Sequence, residues 1–203
     1  MRLYIVRHGQ TAWNKEFRFQ GSSDIPLDDV GKDQAYRVSK MLAYYKVSKI
    51  YASPLIRANT TAQIIQKKVN VPISYDPGLQ EVKLGEWEGL TVKEINKEYS
   101  KEFLIWENEP TKQVGLGVET YYDLQNRAVN TVENICKKES ENLIIVTHGA
   151  WMRALLCNVL NISLENRLGF EITNTGLTIL ERIQIKDDHK FVVLTLNDIT
   201  HLY

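Results

Sequence analysis

Hydrophobic residues in this chain fall into two recurring patterns, short unbroken runs and runs spaced three and four apart, and the two alternate from the first residues onward. Residues 3–6 form an unbroken apolar run that predicts a buried strand, and Ala35, Val38, Met41, Leu42 and Tyr45 then share one face of a helix over 32–45. The pattern repeats with a strand at 49–52 and a helix after Pro54, on which Ala58, Ala62, Ile65 and Val69 recur at helical spacing. A weaker strand follows at 73–75. Beyond a stretch rich in Pro and Gly, Thr91 and Glu94 have capping-box spacing and start a helix. Leu124, Ala128, Val132 and Ile135 line one side of a helix over 121–138. The clearest buried strand is 143–147, with a helix over 151–160 and closing strands at 177–180 and 191–196.

Strands that alternate with helices imply an α/β fold of three layers, a mostly parallel sheet with helices on both faces. With 203 residues and no linker, low-complexity tract or composition shift, residues 1–203 read as a single domain. One internal echo stands out, because His8-Gly9 and His148-Gly149 each follow a buried strand directly. The carboxyl ends of parallel strands share one edge, where ligand crevices open, so both histidines are expected to face one pocket.

Charge and composition narrow the partners. Lys+Arg and Asp+Glu both number 25, so no overall field favours nucleic acid or an anionic membrane, and any anion binding must be local. No run has the length of a signal core or a membrane span, and a cytoplasmic location is expected. Cys136 and Cys157 lack metal-ligand spacing and read as buried, reduced thiols. Gly115-Leu-Gly117 lacks a preceding strand and a third Gly, and no Walker A sequence is present, which disfavours a nucleotide cofactor.

The densest chemical signal is Arg7-His8-Gly9-Gln10-Thr11 with Asn14 beyond it. Arg7 offers a permanent cation with a planar donor set matched to phosphate oxygens, and Gly9 permits close approach of a ligand to the backbone. Arg57 follows the second strand and His148 the later one, so two Arg and two His are expected to converge. Such a cluster fits phosphoryl transfer, in which fixed cations stabilise the charge on the peripheral oxygens and an imidazole nitrogen can attack in line. A carboxyl group must protonate the departing alcohol, and spacing alone leaves Glu81, Glu86 and Glu88 as candidates. His8, His148 and Glu81 as metal ligands is the competing reading, opposed by Arg7 and Arg57, which would repel a metal ion. Arg57 as one half of a surface ion pair is the ordinary alternative.

The RHGQT opening, Gln20-Gly21 with Pro26-Leu27, the SPLIRANTTA block, Glu81 followed by GEWEG, VTHG, and Asn197-Asp198 near the end resemble the histidine phosphatase superfamily, which includes the cofactor-dependent phosphoglycerate mutases. The resemblance implies a phosphoglycerate mutase-like fold with a helical insertion around 76–120 over the active site. It implies His8 as nucleophile, Arg7, Arg57 and His148 as the phosphate pocket, and Glu81 as proton donor. Asn14, Gln20, Gly21 and Gly149 would contact substrate, and no metal or organic cofactor is implied. Gln10 stands where the family more often has Glu.

The implied enzyme is a phosphoric monoester hydrolase acting on a small phosphomonoester. A mutase is the alternative, but the residues after Glu81 are not the mutases' Arg-His-Tyr-Gly and the chain is short. A binding module without turnover is the alternative from another class. Phe17, Phe19, Phe103, Trp106, Tyr121 and Tyr122 lie in the expected covering segments, as packing or as recognition, whereas Trp13 and Trp87 read as structural supports. His189 and His201 read as surface or packing residues, and no self-association signal is present.

Overall fold

The N-terminal apolar run becomes β1 (Arg2–Arg7), in which Leu3, Tyr4, Ile5 and Val6 are all buried. In this computed structural model, which describes residues 1–186 and 188–203, the chain continues through α1 (Ala12–Lys15), α2 (Asp29–Leu42), β2 (Lys49–Ala52), α3 (Ile56–Val69) and β3 (Ile73–Tyr75). Next come α4 (Val92–Glu98), α5 (Ser100–Asn108), α6 (Tyr121–Lys138), β4 (Leu143–Thr147), α7 (Gly149–Val159), β5 (Leu177–Ile185) and β6 (Asp188–Asp198).

The strands form one six-stranded sheet in the order β3-β2-β4-β1-β5-β6. The first four of these strands run parallel, and β5 and β6 add antiparallel at one end. Alternation along β1 divides the core. Leu3 and Ile5 join Leu143, Ile145 and the inner faces of α6 and α7 on one side. Tyr4 and Val6 join Ile144, Val146, α2 and α3 on the other. A strand buried on both faces must be apolar at every position, which is why β1 and β4 read as continuous runs. Each fully buried Leu, Ile or Val contributes about 1.5–3 kcal/mol relative to exposure.

Several boundaries differ from the periodicity. The helix expected over 32–45 is displaced toward the N-terminus as α2, because the Asp28 side chain accepts from Gly31 N at 2.7 Å and caps it. Tyr45 keeps its place in the apolar pattern from a turn beyond the helix, with its ring 4.5 Å from that of Tyr4. Helix α7 starts at Gly149 with His148 as its N-cap residue, ahead of the expected 151. Strands β5 and β6 outrun the expected 177–180 and 191–196. Their distal residues are mostly polar, so no apolar run marks the extension.

Helices α4 and α5 and the loops around them carry aromatic residues onto the main core. Trp87 meets Phe103 and Trp106 edge-on with ring centres 5.6 Å apart in both pairs, and Trp106 lies 4.8 Å from Tyr121. Edge-to-face geometry adds about 0.5–1.5 kcal/mol per pair beyond area burial. The capping box at Thr91 and Glu94 forms as the sequence predicts. Among the described residues no helix is long and apolar enough to cross a membrane, and no group of three or more His, Cys, Asp or Glu is arranged to hold a metal ion.

Candidate active site

Sheet register brings the two histidines together. Arg7 pairs with Thr147 across β1 and β4, so His8 and His148 leave the same edge one residue later. Their ring centres are 5.2 Å apart. Strand β2 pairs with β4 on its other side, and Ser53 and the first turn of α3, which carries Arg57, arrive at that edge as well.

His8 is 2% exposed, and its Nδ1 lies 2.7 Å from the Gly9 carbonyl oxygen. A carbonyl only accepts, so Nδ1 carries the proton and Nε2 keeps its lone pair. Burial, then the charges of Arg57 and Arg7, hold this imidazole well below its usual pKa of 6.5, which keeps it neutral.

His148 is buried with Nε2 2.7 Å from Ser53 Oγ. The Ser53 oxygen also accepts from Leu55 N at 3.3 Å. His148 Nδ1 is buried without a partner among the described residues. Burial and the Arg57 charge depress the pKa of His148 as well.

Arg7 and Arg57 are fixed by carbonyls rather than carboxylates. Arg7 Nη1 donates to Ile172 O at 2.7 Å, and Arg57 donates to Ser23 O at 2.7 Å and Gly21 O at 2.8 Å. Burial lowers the pKa of Arg7 to about 10 and depresses that of Arg57, and Glu81 opposes both shifts. Even so, both guanidinium groups remain charged at neutral pH. The Nε atoms of Arg7 and Arg57 are buried without a partner, as is His148 Nδ1. Buried donors left unpaired are costly, and an acceptor bound among them would offset that cost.

Glu81 is set by the N-terminus of α7. Its carboxyl oxygens accept from Ala150 N at 3.2 Å and Trp151 N at 3.1 Å. Arg127 holds the preceding loop through the carbonyls of Gly78, Gln80 and Glu81 while pairing with Glu119 at 2.8 Å. Glu86 accepts instead from the Tyr99 hydroxyl, and Glu88 from Ser22 N and the Ser23 hydroxyl. Of these three carboxyl groups only that of Glu81 lines the cavity above His8.

Thr11 organises the remaining polar residues. Its hydroxyl donates to Gln20 Oε1 at 3.1 Å and its backbone N–H to Asn14 Oδ1 at 3.1 Å, so both amides use their oxygens internally and keep their NH2 groups for the cavity they line. Gly21 and Gly149 also line it. Gly21 adopts φ +51°, and a Cβ there would stand 2.2 Å from Glu88 Oε1. Gly9 serves a different purpose from the one expected: its Cβ would meet Gly31 O at 2.3 Å, so it admits the start of α2 rather than a ligand.

The cavity has a volume of about 570 Å³. Phe17, Phe19, Phe103, Trp106 and Tyr121 line it, while Tyr122 is absent from the lining and half exposed. Trp13, read as a support, lines it too, with its ring beside Gly89, and Trp87 is buried in the core. Arg153, Arg167 and Asn174 were missed by sequence reasoning. Arg153 sits one turn beyond Gly149 on α7 and was legible as its helical neighbour, whereas Arg167 and Asn174 carry no local signal. Asn174 Nδ2 donates to His8 O at 2.9 Å, and Asn197 holds the loop around it by accepting from Thr173 N at 2.8 Å.

A mostly parallel sheet with paired His and Arg side chains at its carboxyl edge defines the class, and the chain belongs to the histidine phosphatase superfamily (branch 1), whose family model matches residues 3–199. It is 30% identical over 203 residues to phosphoserine phosphatase 1 of Hydrogenobacter thermophilus, covering 100% of this chain and 94% of that protein. Among solved structures, Bacillus stearothermophilus YhfR is 33% identical with a TM-score of 0.91, the match covering 100% of this chain and 99% of that one. A phosphoserine phosphatase from Entamoeba histolytica, solved in complex with phosphoserine, is 27% identical with a TM-score of 0.85 over 100% of this chain and 99% of that one.

Proposed function

We propose that this chain hydrolyses a small phosphate monoester through a covalent phosphohistidine on His8. Phosphomonoesterase activity is that of its relatives, the phosphoserine phosphatases. What supports the mechanism is the cluster of Arg7, Arg57 and His148, each with a buried nitrogen that has no partner among the described residues, together with a His8 imidazole whose Nδ1 is held by the Gly9 carbonyl and whose Nε2 lone pair is free.

In the first step His8 Nε2 attacks phosphorus, the bond to the alcohol oxygen breaks, and the Glu81 carboxyl delivers a proton to that oxygen. The guanidinium and imidazole donors hold the peripheral oxygens as charge develops. In the second step Glu81 takes a proton from water, the water oxygen attacks phosphorus, and the N–P bond breaks to release inorganic phosphate and restore His8. The cations are supplied by the chain, so no metal or organic cofactor enters the scheme. The segment 76–120, part of the one domain, acts as the cover that excludes bulk water. Free, buried Cys136 and Cys157 suit a reducing cytoplasm.

Incubation with a 32P-labelled monoester followed by rapid quenching tests the intermediate. Acid-labile, base-stable label should appear on the wild type and be absent from His8→Ala, which should also lose turnover. Turnover that survives this substitution, or that EDTA abolishes, overturns the proposal. Phosphate released without a bisphosphoglycerate primer separates hydrolysis from mutase action.

A further inference from the structure

The phosphate end of the cavity uses Arg7 and Arg57, yet Arg18, Arg153 and Arg167 line the same cavity. Arg18 is already neutralised by Glu16 at 2.8 Å and Glu94 at 3.1 Å. Arg153 and Arg167 make no ion pair among the described residues. A chain with no net charge has thus placed two uncompensated guanidinium groups in its cavity, in addition to those of the phosphate cluster.

Arg167 is the more telling of the two. It is 1% exposed, and Nη1 donates to the carbonyls of Glu107 at 2.9 Å and Leu164 at 3.1 Å. Its guanidinium lies 3.9 Å from the Tyr121 ring centre and 5.6 Å from that of Trp106. Stacking and the two carbonyls fix the plane of the group, while Nε is buried without a partner. An arginine buried without a carboxylate is expensive unless a ligand supplies the anion. Arg153 is half-buried on α7, with only a 3.5 Å contact from Nε to Phe170 O. Tyr121 ties the pair to the reacting end, since its hydroxyl feels the charges of Arg167, Glu81 and Arg153 together. Glu107, the other acidic residue of the lining, receives Arg167 through its carbonyl and not its carboxylate.

We propose that Arg153 and Arg167, backed by Tyr121, form a second anion subsite that binds a carboxylate on the leaving group, so that the substrate is the phosphomonoester of a hydroxy acid. A planar carboxylate matches the fork of a guanidinium held in one plane, and the apolar walls of Phe103 and Trp106 strengthen the pairing by excluding water. The inference rests on the phosphatase reading above and narrows its substrate.

Matched substrates test it. 3-Phosphoglycerate and glycerol 3-phosphate differ by a carboxylate in place of a CH2OH group, and phosphoserine and phosphoethanolamine by a carboxylate in place of a hydrogen. Released phosphate should give the wild type a kcat/KM preference of about 10–100-fold for the carboxylate member of each pair, the scale of one charge-assisted hydrogen bond or two. Arg153→Gln and Arg167→Lys should bring the ratio to within about threefold of unity, mainly through KM, and Arg153→Lys should restore part of the preference. Should Arg167→Lys fail to fold, the half-buried Arg153 carries the test. Equal wild-type rates within both pairs, or a preference that Arg153→Gln leaves intact, overturn the subsite while leaving the phosphatase standing. Release of phosphate from neither pair nor from p-nitrophenyl phosphate sinks the phosphatase reading and the subsite with it.

Discussion

At the scale of single residues, chemistry here is set by which atom of a side chain is already occupied. The Gly9 carbonyl accepts from Nδ1 of His8 and leaves the Nε2 lone pair for the attack proposed above, and Ser53 engages Nε2 of His148. Ser53→Ala removes that contact, and kcat/KM is expected to fall about 3–30-fold, the cost of one lost hydrogen bond. Glu81→Gln keeps the acceptor oxygen at the start of α7 and removes the exchangeable proton. Steady-state kinetics should then show kcat reduced by about two to four decades, with phosphate-analogue affinity by calorimetry largely retained. Neither contact was legible in the sequence, because each depends on a neighbour's carbonyl or hydroxyl brought within hydrogen-bond reach by the fold.

Secondary-structure elements act by delivering their ends to one edge. Helix α2 reaches the loop after His8 because Gly9 and Gly31 touch backbone to backbone, a Cβ on Gly31 standing 2.1 Å from Gln10 O. Gly31→Ala should therefore cost about 1–3 kcal/mol in urea unfolding, since neither backbone can yield without moving His8. Asp28→Ala removes the cap of the same helix and should cost about 1 kcal/mol in the same measurement. Helix α7 has a double duty, holding Glu81 on its first amides and presenting Arg153 one turn further along.

The whole molecule shows its design in its response to pH. His8, His148 and His201 are all held below their usual pKa, chiefly by burial. The unfolded chain therefore takes up protons near pH 6.5 while the folded chain does not, and stability is lost as pH falls below that value. Each fully shifted histidine contributes a slope of up to about 1.4 kcal/mol per pH unit. Thermal unfolding in phosphate-free buffer should show Tm falling between pH 6.5 and 5, more shallowly in His148→Gln. Added inorganic phosphate should raise Tm, because it binds only the folded pocket. A Tm that holds steady across this range would contradict the burial of two neutral imidazoles.

Residue pattern alone determined the alternation of strands and helices, the parallel core of the sheet, and the placing of His8, Arg57 and His148 at element ends. Continuous apolar runs and helical spacing are local consequences of burial, and they read directly from the chain. Spacing left Glu81, Glu86 and Glu88 open and the motif resemblance chose Glu81; tertiary structure alone decided that Gly9 admits a helix instead of a ligand and that Arg167 lies buried against Tyr121. Those outcomes depend on which distant backbone or ring comes to lie beside a side chain, a relation between segments that no window along the chain contains.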